Sequence, residues 1–356
     1  MKQNIDNLKS EIMFREKLAR QHVTGEVLVE DYMGKENHDA VMRERVTTTF
    51  ETMKNLQSSG VQLGPFIELG AERGQRSLVL TNDFNVQGFA VDLSFAQLKT
   101  MDYWMEFFNK PKPPVRICCN AYHLPFQSNS LSFAFCYQFL HHFPDPAPVI
   151  KEIHRVLANG FFYFDEEPYK RFSLKLYRRK VNNKPGKLKK YITFLESFIA
   201  DQYEIEEAHG IVENDDIPLE EWVKFLEIFD EKRVSFRSAS LFTSEMGKVS
   251  SLKIRLHKML GGVISGLVEK KPAQSKNKPG AVIKDIYELL ACPVCVIPEG
   301  NGGPDRAPLV RHGDYLKCES CKAEYPIVDN VMILLPQKEI KELYPELAAA
   351  RPPTNR

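Results

Sequence analysis

Nothing in these 356 residues forms an uninterrupted apolar run of the ~18 residues that a bilayer-spanning helix requires. The first residues, MKQNIDNLKSEIMFREKLARQ, carry charges throughout and lack an apolar core segment, so no secretory signal is expected there. Net charge is nearly absent: 48 Lys and Arg face 47 Asp and Glu, giving +1. That balance excludes the global basic field of a dedicated DNA binder, although local patches still count. Cysteine is scarce, with seven residues, and four of them sit in two C-x-x-C pairs. This pattern points to metal binding in a reducing compartment, not to a disulfide framework, and a cytoplasmic protein is expected. No internal repeat is present. With 43% hydrophobic and 27% charged residues the chain is neither disordered nor fibrous, and its length predicts about two domains.

What is present is organised by period. Residues 1–58 mix charges with apolar residues at helical spacing (Ile12, Phe14, Leu18; then Val41, Val46, Phe50, Met53), which predicts an N-terminal helical segment. From Pro65 short apolar runs alternate with helical stretches. FIEL, VQGFAVD, VRICC, FAFCY and FFYF each read as a buried strand, and strand–helix–strand alternation implies βαβ units in a mostly parallel sheet. One crossover helix is well marked: Asp145 as cap, Pro146 in the first turn, Val149, Ile150, Ile153, Val156 and Leu157 on one face, and Asn159-Gly160 as the stop.

Residues 169–231 depart from this rhythm. From Lys170 to Lys190 there are ten Lys or Arg and no acid; from Glu196 to Glu231 there are thirteen acids and one Lys. Either the blocks pair with each other, or the first is a basic lid over an anionic substrate. Glu220–Asp230 reads as a helix, Arg233–Ser238 as a strand, and Val263–Val268 as a last short strand. KKPAQSKNKPG (270–280) is polar and proline-containing, and a linker is expected at 273–281. A cysteine module at 282–336 and a tail at 337–356 follow.

In FIELGAERGQRSLVL, Glu68, Gly70 and Gly74 lie where the first strand meets a helix. Glycine there permits a tight turn and close approach of a ligand to the helix N-terminus. Asp92 closes the second strand about twenty residues on, where an acid can bond both hydroxyls of a ribose.

FIELGAERG, GFAVDLS, NAYHLPF, FCYQFLHHFPDP and IKEIHRVLANGFFYFDEEP, in that order, resemble the class I S-adenosylmethionine (SAM) methyltransferases, nearest to their type 11 group. The resemblance covers residues 64–167 well and 168–272 in outline. It implies a Rossmann-like α/β fold with a mostly parallel seven-stranded sheet over 59–272, with 169–231 as a substrate lid. It further implies Glu68 and the backbone of Gly70 and Gly74 at the amino-acid end of SAM, Asp92 on the ribose, Asn120 and Ala121 beside the adenine, and Gln138 near the methionine moiety. Glu72 departs from the family by replacing the middle glycine. It sets a side chain where backbone normally faces the cofactor, and weaker binding is expected. Asn120 departs too, standing where most relatives have Asp.

Methyl transfer is an in-line displacement, so the protein mainly orients the acceptor and, for O or N acceptors, removes a proton. His141 and His142 follow the fourth strand and are the candidate general bases; the alternative is that they shape the pocket. The stretch CYQFLHHF lacks the Asn/Asp-Pro-Pro-aromatic motif of amide and exocyclic-amine methyltransferases, which argues against such acceptors.

Cys292-Pro-Val-Cys295 and Cys318-Glu-Ser-Cys321 offer four thiolates from two knuckles, enough for a closed structural Zn2+ site with no position left for catalysis. The module also resembles the small zinc-binding activator subunit of tRNA, rRNA and release-factor methyltransferases. That resemblance implies a ribbon packed in cis on the methyltransferase domain.

The expected function is therefore SAM-dependent methylation of a small-molecule acceptor, glycan or lipid-linked metabolites included. The alternatives are an RNA methyltransferase that uses the basic segment 170–190 with the ribbon as activator, a membrane-surface enzyme using the basic amphipathic stretch 251–271, and a non-enzymatic SAM-binding regulator.

Overall fold

Every residue of the run Phe66–Leu69 is buried, as a strand covered on both faces by helices must be. The computed structural model describes residues 5–29, 32–180, 196–203, 205–238, 242–271, 285–297 and 305–349. The expected linker, and residues 181–190 of the basic block, lie outside the described residues.

Two helices lead, α1 (Ile5–Thr24) and α2 (Lys35–Ser58). An alternating run follows: β1 (Phe66–Leu69), α3 (Gln75–Asp83), β2 (Gly88–Asp92), α4 (Phe95–Lys99), α5 (Met101–Phe108), β3 (Val115–Cys118), β4 (Leu131–Tyr137), α6 (Ala147–Val156) and β5 (Leu157–Tyr169). Strands β1 to β5 are all parallel, in the order β3-β2-β1-β4-β5. Chain order reverses between β1 and β4, and the crevice at such a switch point is where doubly wound sheets bind ligands.

The crossover helix starts one residue later than the sequence predicts, with Pro146 as its N-cap and Asp145 Oδ1 accepting the Ala147 N–H at 3.0 Å from just outside. Its end differs. The helix stops at Val156 and passes directly into β5, so Asn159 and Gly160 belong to the strand. Gly160 is required by contact there, since a Cβ would strike the backbone of Ser132 on β4.

Beyond β5, β6 (Tyr177–Lys180) and β7 (Ala200–Tyr203) form a separate parallel pair. The expected 220–230 helix is shorter, Leu219–Phe225, and tightens into a 3-10 turn at Leu226–Ile228. Then β8 (Glu231–Ser238), β9 (Phe242–Glu245) and β10 (Gly262–Lys270) complete the frame, with β10 antiparallel to both β5 and β8.

The sheet is larger than the seven strands expected. In the cysteine module, β11 (Ala291–Ile297), β12 (Asp305–His312), β13 (Tyr315–Cys318), β14 (Glu324–Val328) and β15 (Val331–Ile333) form an antiparallel meander whose last strand pairs in parallel with β3. The register sets Met332 opposite Ile117 and Ile333 opposite Cys118, and among the described residues the result is one mixed sheet of thirteen strands. Arg306 adds an ion pair to Glu152 on α6 at 3.2 Å. Part of the expected tail is ordered structure: helix Gln337–Leu343 packs toward α1, burying Ile340 and Leu343. Among the described residues no helix is long and apolar enough to cross a membrane.

Candidate functional site

A cleft of ≈ 320 Å³ opens at the switch point, lined from β1, β2, β4 and β5 and roofed by Leu8, Glu11 and Arg15 of α1. Of the residues singled out from sequence, Gly70, Asp92, Asn120, Ala121, Gln138, His141 and His142 line it; Glu68 and Gly74 do not.

The turn after β1 depends on backbone freedom. Gly70 and Gly74 take left-handed φ of 63° and 70°, and Glu72 follows at 48°. The backbone at position 72 thus adopts the conformation a glycine would allow, at a cost to a residue with a Cβ. Three guanidiniums take up the Glu72 carboxylate: Arg45 at 3.1 Å, Arg73 at 3.3 Å and Arg15 at 3.8 Å. Burial opposes its charge, yet these cations hold it well below the usual carboxylate range. Arg73 also meets His22 Nδ1 at 2.7 Å, and His22 stacks on His38 with ring centroids 3.5 Å apart. Burial first, then Arg73, pushes His22 down to about 3 and His38 to about 2, so both rings are neutral fasteners between α1, α2 and the turn.

Glu68 is fully buried and serves the fold: Oε2 accepts the N–H of Ser77 at 2.9 Å and its hydroxyl at 2.5 Å, anchoring the first turn of α3. Burial pushes it up to about 7. Asp92 accepts one N–H on each oxygen, from Glu72 at 2.8 Å and Ser94 at 2.7 Å. A carboxylate has about four acceptor sites, so two remain toward the cleft. Burial raises it to about 6. Asn120 accepts the Tyr122 N–H at 3.1 Å and donates to Glu339 Oε2 at 3.2 Å. From the same C-terminal segment, Tyr344 donates to the Leu93 carbonyl at 2.6 Å and accepts the Phe95 N–H at 3.1 Å.

At the other end of the cleft, the fully buried Glu167 organises the loop after β4. It accepts the N–H groups of Phe139, Leu140 and His141 at 2.8, 3.0 and 3.2 Å, and holds His141 Nδ1 at 2.8 Å. Glu213 faces both imidazoles, 3.3 Å from His141 Nε2 and 3.1 Å from His142 Nδ1. Asn214 staples this segment down by bonds to the carbonyls of His141, Phe143 and Pro144. Burial alone would lower His141, but its hydrogen bonds to Glu167 and Glu213 win and hold it at about 10. Gln138 is exposed at a left-handed φ of 46° and reaches Glu166 at 3.4 Å.

Sequence reasoning missed α1 as the roof, Glu213, and the reach of Glu339 and Tyr344 to the cleft. The acidic run containing Glu213 is visible in the sequence, but nothing local announces which acid meets a histidine some seventy residues away.

The two charged blocks meet. Lys175 pairs with Asp216 at 2.5 Å and Asp201 at 3.3 Å, Arg178 with Glu207 at 3.3 Å, and Arg179 with Glu196.

The four cysteines converge. Their sulfurs all lie within 4.8 Å of one another, with Cys292–Cys321 and Cys295–Cys318 both at 3.8 Å. Four sulfurs at about 2.3 Å from a tetrahedral Zn2+ stand about 3.8 Å apart, so the cluster is consistent with a zinc ribbon.

Residues 67–164 match the family model described as a methyltransferase domain. No curated protein matches the chain. Similar solved structures include a SAM-dependent methyltransferase, possible histamine N-methyltransferase, from Thermotoga maritima (15% identity over 66% of this chain and 94% of that one, TM-score 0.38). Another is a putative methyltransferase from Bacillus halodurans (15%, 62% and 98%, TM-score 0.38). A third is a Haloferax volcanii complex of the Trm112 methyltransferase activator with a putative methyltransferase (15%, 67% and 95%, TM-score 0.36). The family match falls on the strands that frame the cleft, so residues 67–164 are similar to a methyltransferase domain, set here in a Rossmann-like α/β frame.

Proposed function

We propose that the protein transfers a methyl group from SAM to a small-molecule acceptor, and that its cysteine module holds a structural zinc ion. The observation that carries the reading is the roofed cleft, with the free acceptor sites of Asp92 at one end and the His141–His142–Glu213 group at the other. Asp92 would hold the ribose hydroxyls, and Ala121 with Asn120 would flank the adenine. The turn at Gly70 would accept the amino-acid end, and Glu72, drawn aside by its arginines, leaves its backbone to face the ligand. When bound, SAM supplies an electrophilic methyl on its sulfonium. Phe139, Tyr137 and the histidine pair would orient the acceptor and exclude water.

Lys175, Arg178 and Arg179 are engaged by acids, which weakens the case for RNA tracking along the basic block. Four cysteines at tetrahedral spacing support zinc, and the pairing of β15 with β3 supports a stabilising role within the same chain.

Calorimetry with SAM tests the reading. Wild-type protein is expected to bind, and Asp92→Asn to bind about 10–100-fold more weakly with an unchanged fold, since a hydrogen bond to a charged group contributes ~1.5–3 kcal/mol. Absence of binding by zinc-loaded wild type would overturn it.

A further inference from the structure

We propose that His141, His142 and Glu213 form a divalent transition-metal site at the acceptor end of the cleft, a second metal centre distinct from the cysteine cluster. Two imidazoles and one carboxylate bring one ligand atom each to within 4.8 Å of the others. The carboxylate sits between the two rings and turns one oxygen to each, Oε2 at 3.3 Å from His141 Nε2 and Oε1 at 3.1 Å from His142 Nδ1. Ligands bonded at about 2.1 Å to one ion are about 3.0 Å apart in octahedral and about 3.4 Å apart in tetrahedral geometry, and both spacings fall in that interval. The Val212 carbonyl oxygen lies 3.2 Å from the same His142 Nδ1, at the distance of a hydrogen bond that the ring would exchange for the ion.

The surroundings of His141 are those of a metal-ligating histidine. Its Nδ1 is held at 2.8 Å by Glu167, which also accepts the N–H groups of Phe139, Leu140 and His141 and the thiol of Cys136. A carboxylate on one ring nitrogen fixes the tautomer and turns the lone pair of the other nitrogen outward, toward Glu213. Without an ion or a proton between them, that lone pair and the carboxylate oxygen would repel at 3.3 Å. All three residues line the cleft, so a two-histidine, one-carboxylate face leaves coordination positions open toward it. Imidazole ligands favour Fe2+, Co2+ or Zn2+ over Ca2+ or Mg2+. Resting on the methyltransferase reading, the site's use is to coordinate an acceptor hydroxyl and lower its pKa, so that its proton passes to water and the oxygen takes the methyl group as the methyl–sulfur bond breaks and the neutral thioether leaves. The acceptor atom is then oxygen.

The alternative state, a proton on each ring, is separated by titrating full-length, zinc-loaded protein with Co2+. One further equivalent is expected, with a visible d–d spectrum lacking thiolate-to-metal charge transfer. Glu213→Gln and His142→Ala should each weaken it at least tenfold while zinc content and circular dichroism stay unchanged. No second equivalent, or a second equivalent that both variants retain, overturns the site. Binding of SAM is measured in parallel without added metal. Cobalt uptake without SAM binding keeps the site and removes its proposed use, whereas SAM binding without cobalt uptake leaves the methyltransferase reading and sinks the site.

Discussion

Asn120, in the wall of the cleft, donates its amide to Glu339, 219 residues further along the chain, at 3.2 Å. The bond ties the segment beyond the cysteine module to the part of the cleft assigned to adenine. Glu339→Ala removes the acceptor and frees the carboxamide to rotate. SAM affinity is expected to fall about 3–10-fold with zinc content unchanged, measured by calorimetry and metal analysis, because one side-chain hydrogen bond contributes ~1 kcal/mol. Unaltered affinity would show that the contact does not order the cleft.

The Glu72 carboxylate balances Arg15, Arg45 and Arg73. Glu72→Gln leaves Arg45 and Arg73 in a half-buried site without this counterion, while Arg15 keeps Glu11 at 4.0 Å. Unfolding free energy should fall by ~2–4 kcal/mol in urea titrations. A second change, Arg45→Met on that background, should recover part of the loss by removing one of the stranded charges.

Glu68 gives stability a pH signature. Its carboxyl sits at about 7 in the folded chain, raised by burial, against an ordinary value near 4.5 when unfolded. Between these values the folded state holds a proton that the unfolded state has lost, so this contribution is complete below about 4.5 and declines as pH rises to about 7. Glu68→Gln should flatten that decline when melting temperature is followed across the interval. An unchanged slope would locate the titrating group elsewhere.

Removing zinc by chelation, or Cys292→Ser, is expected to lower the melting temperature of the whole chain by about 10 °C or more in a single transition. The ribbon shares β15 and the Arg306–Glu152 pair with the larger unit, so the two should not melt apart. Two separate transitions, the upper one insensitive to chelator, would contradict this.

Much of the frame was legible because its signals are local. FIEL, GFAVD and VRIC are apolar runs that only a doubly covered strand tolerates, and the cysteine spacing carries its own ligand geometry. The end of α6 falls earlier than its signal because Asn-Gly is a common helix stop, whereas here a steric limit against Ser132 puts Gly160 in a strand. Glu68 reads as a ligand residue by motif, but its side chain, buried on β1, takes Ser77 in the first turn of α3 as partner. Long-range meetings stayed hidden: α1 over the cleft, Glu213 against the histidines, and β15 alongside β3. Each depends on surfaces far apart in the chain that no local period encodes.

The parallel pairing of β15 with β3 also has a meaning for solubility. Strand β3 ends the parallel frame, and without the module its unpaired N–H and C=O groups would face solvent as a template for other chains. The module acts as a built-in guard on that border. A chain cut after residue 271, or one starved of zinc while folding, should therefore be lost to self-association before any defect in catalysis can be measured.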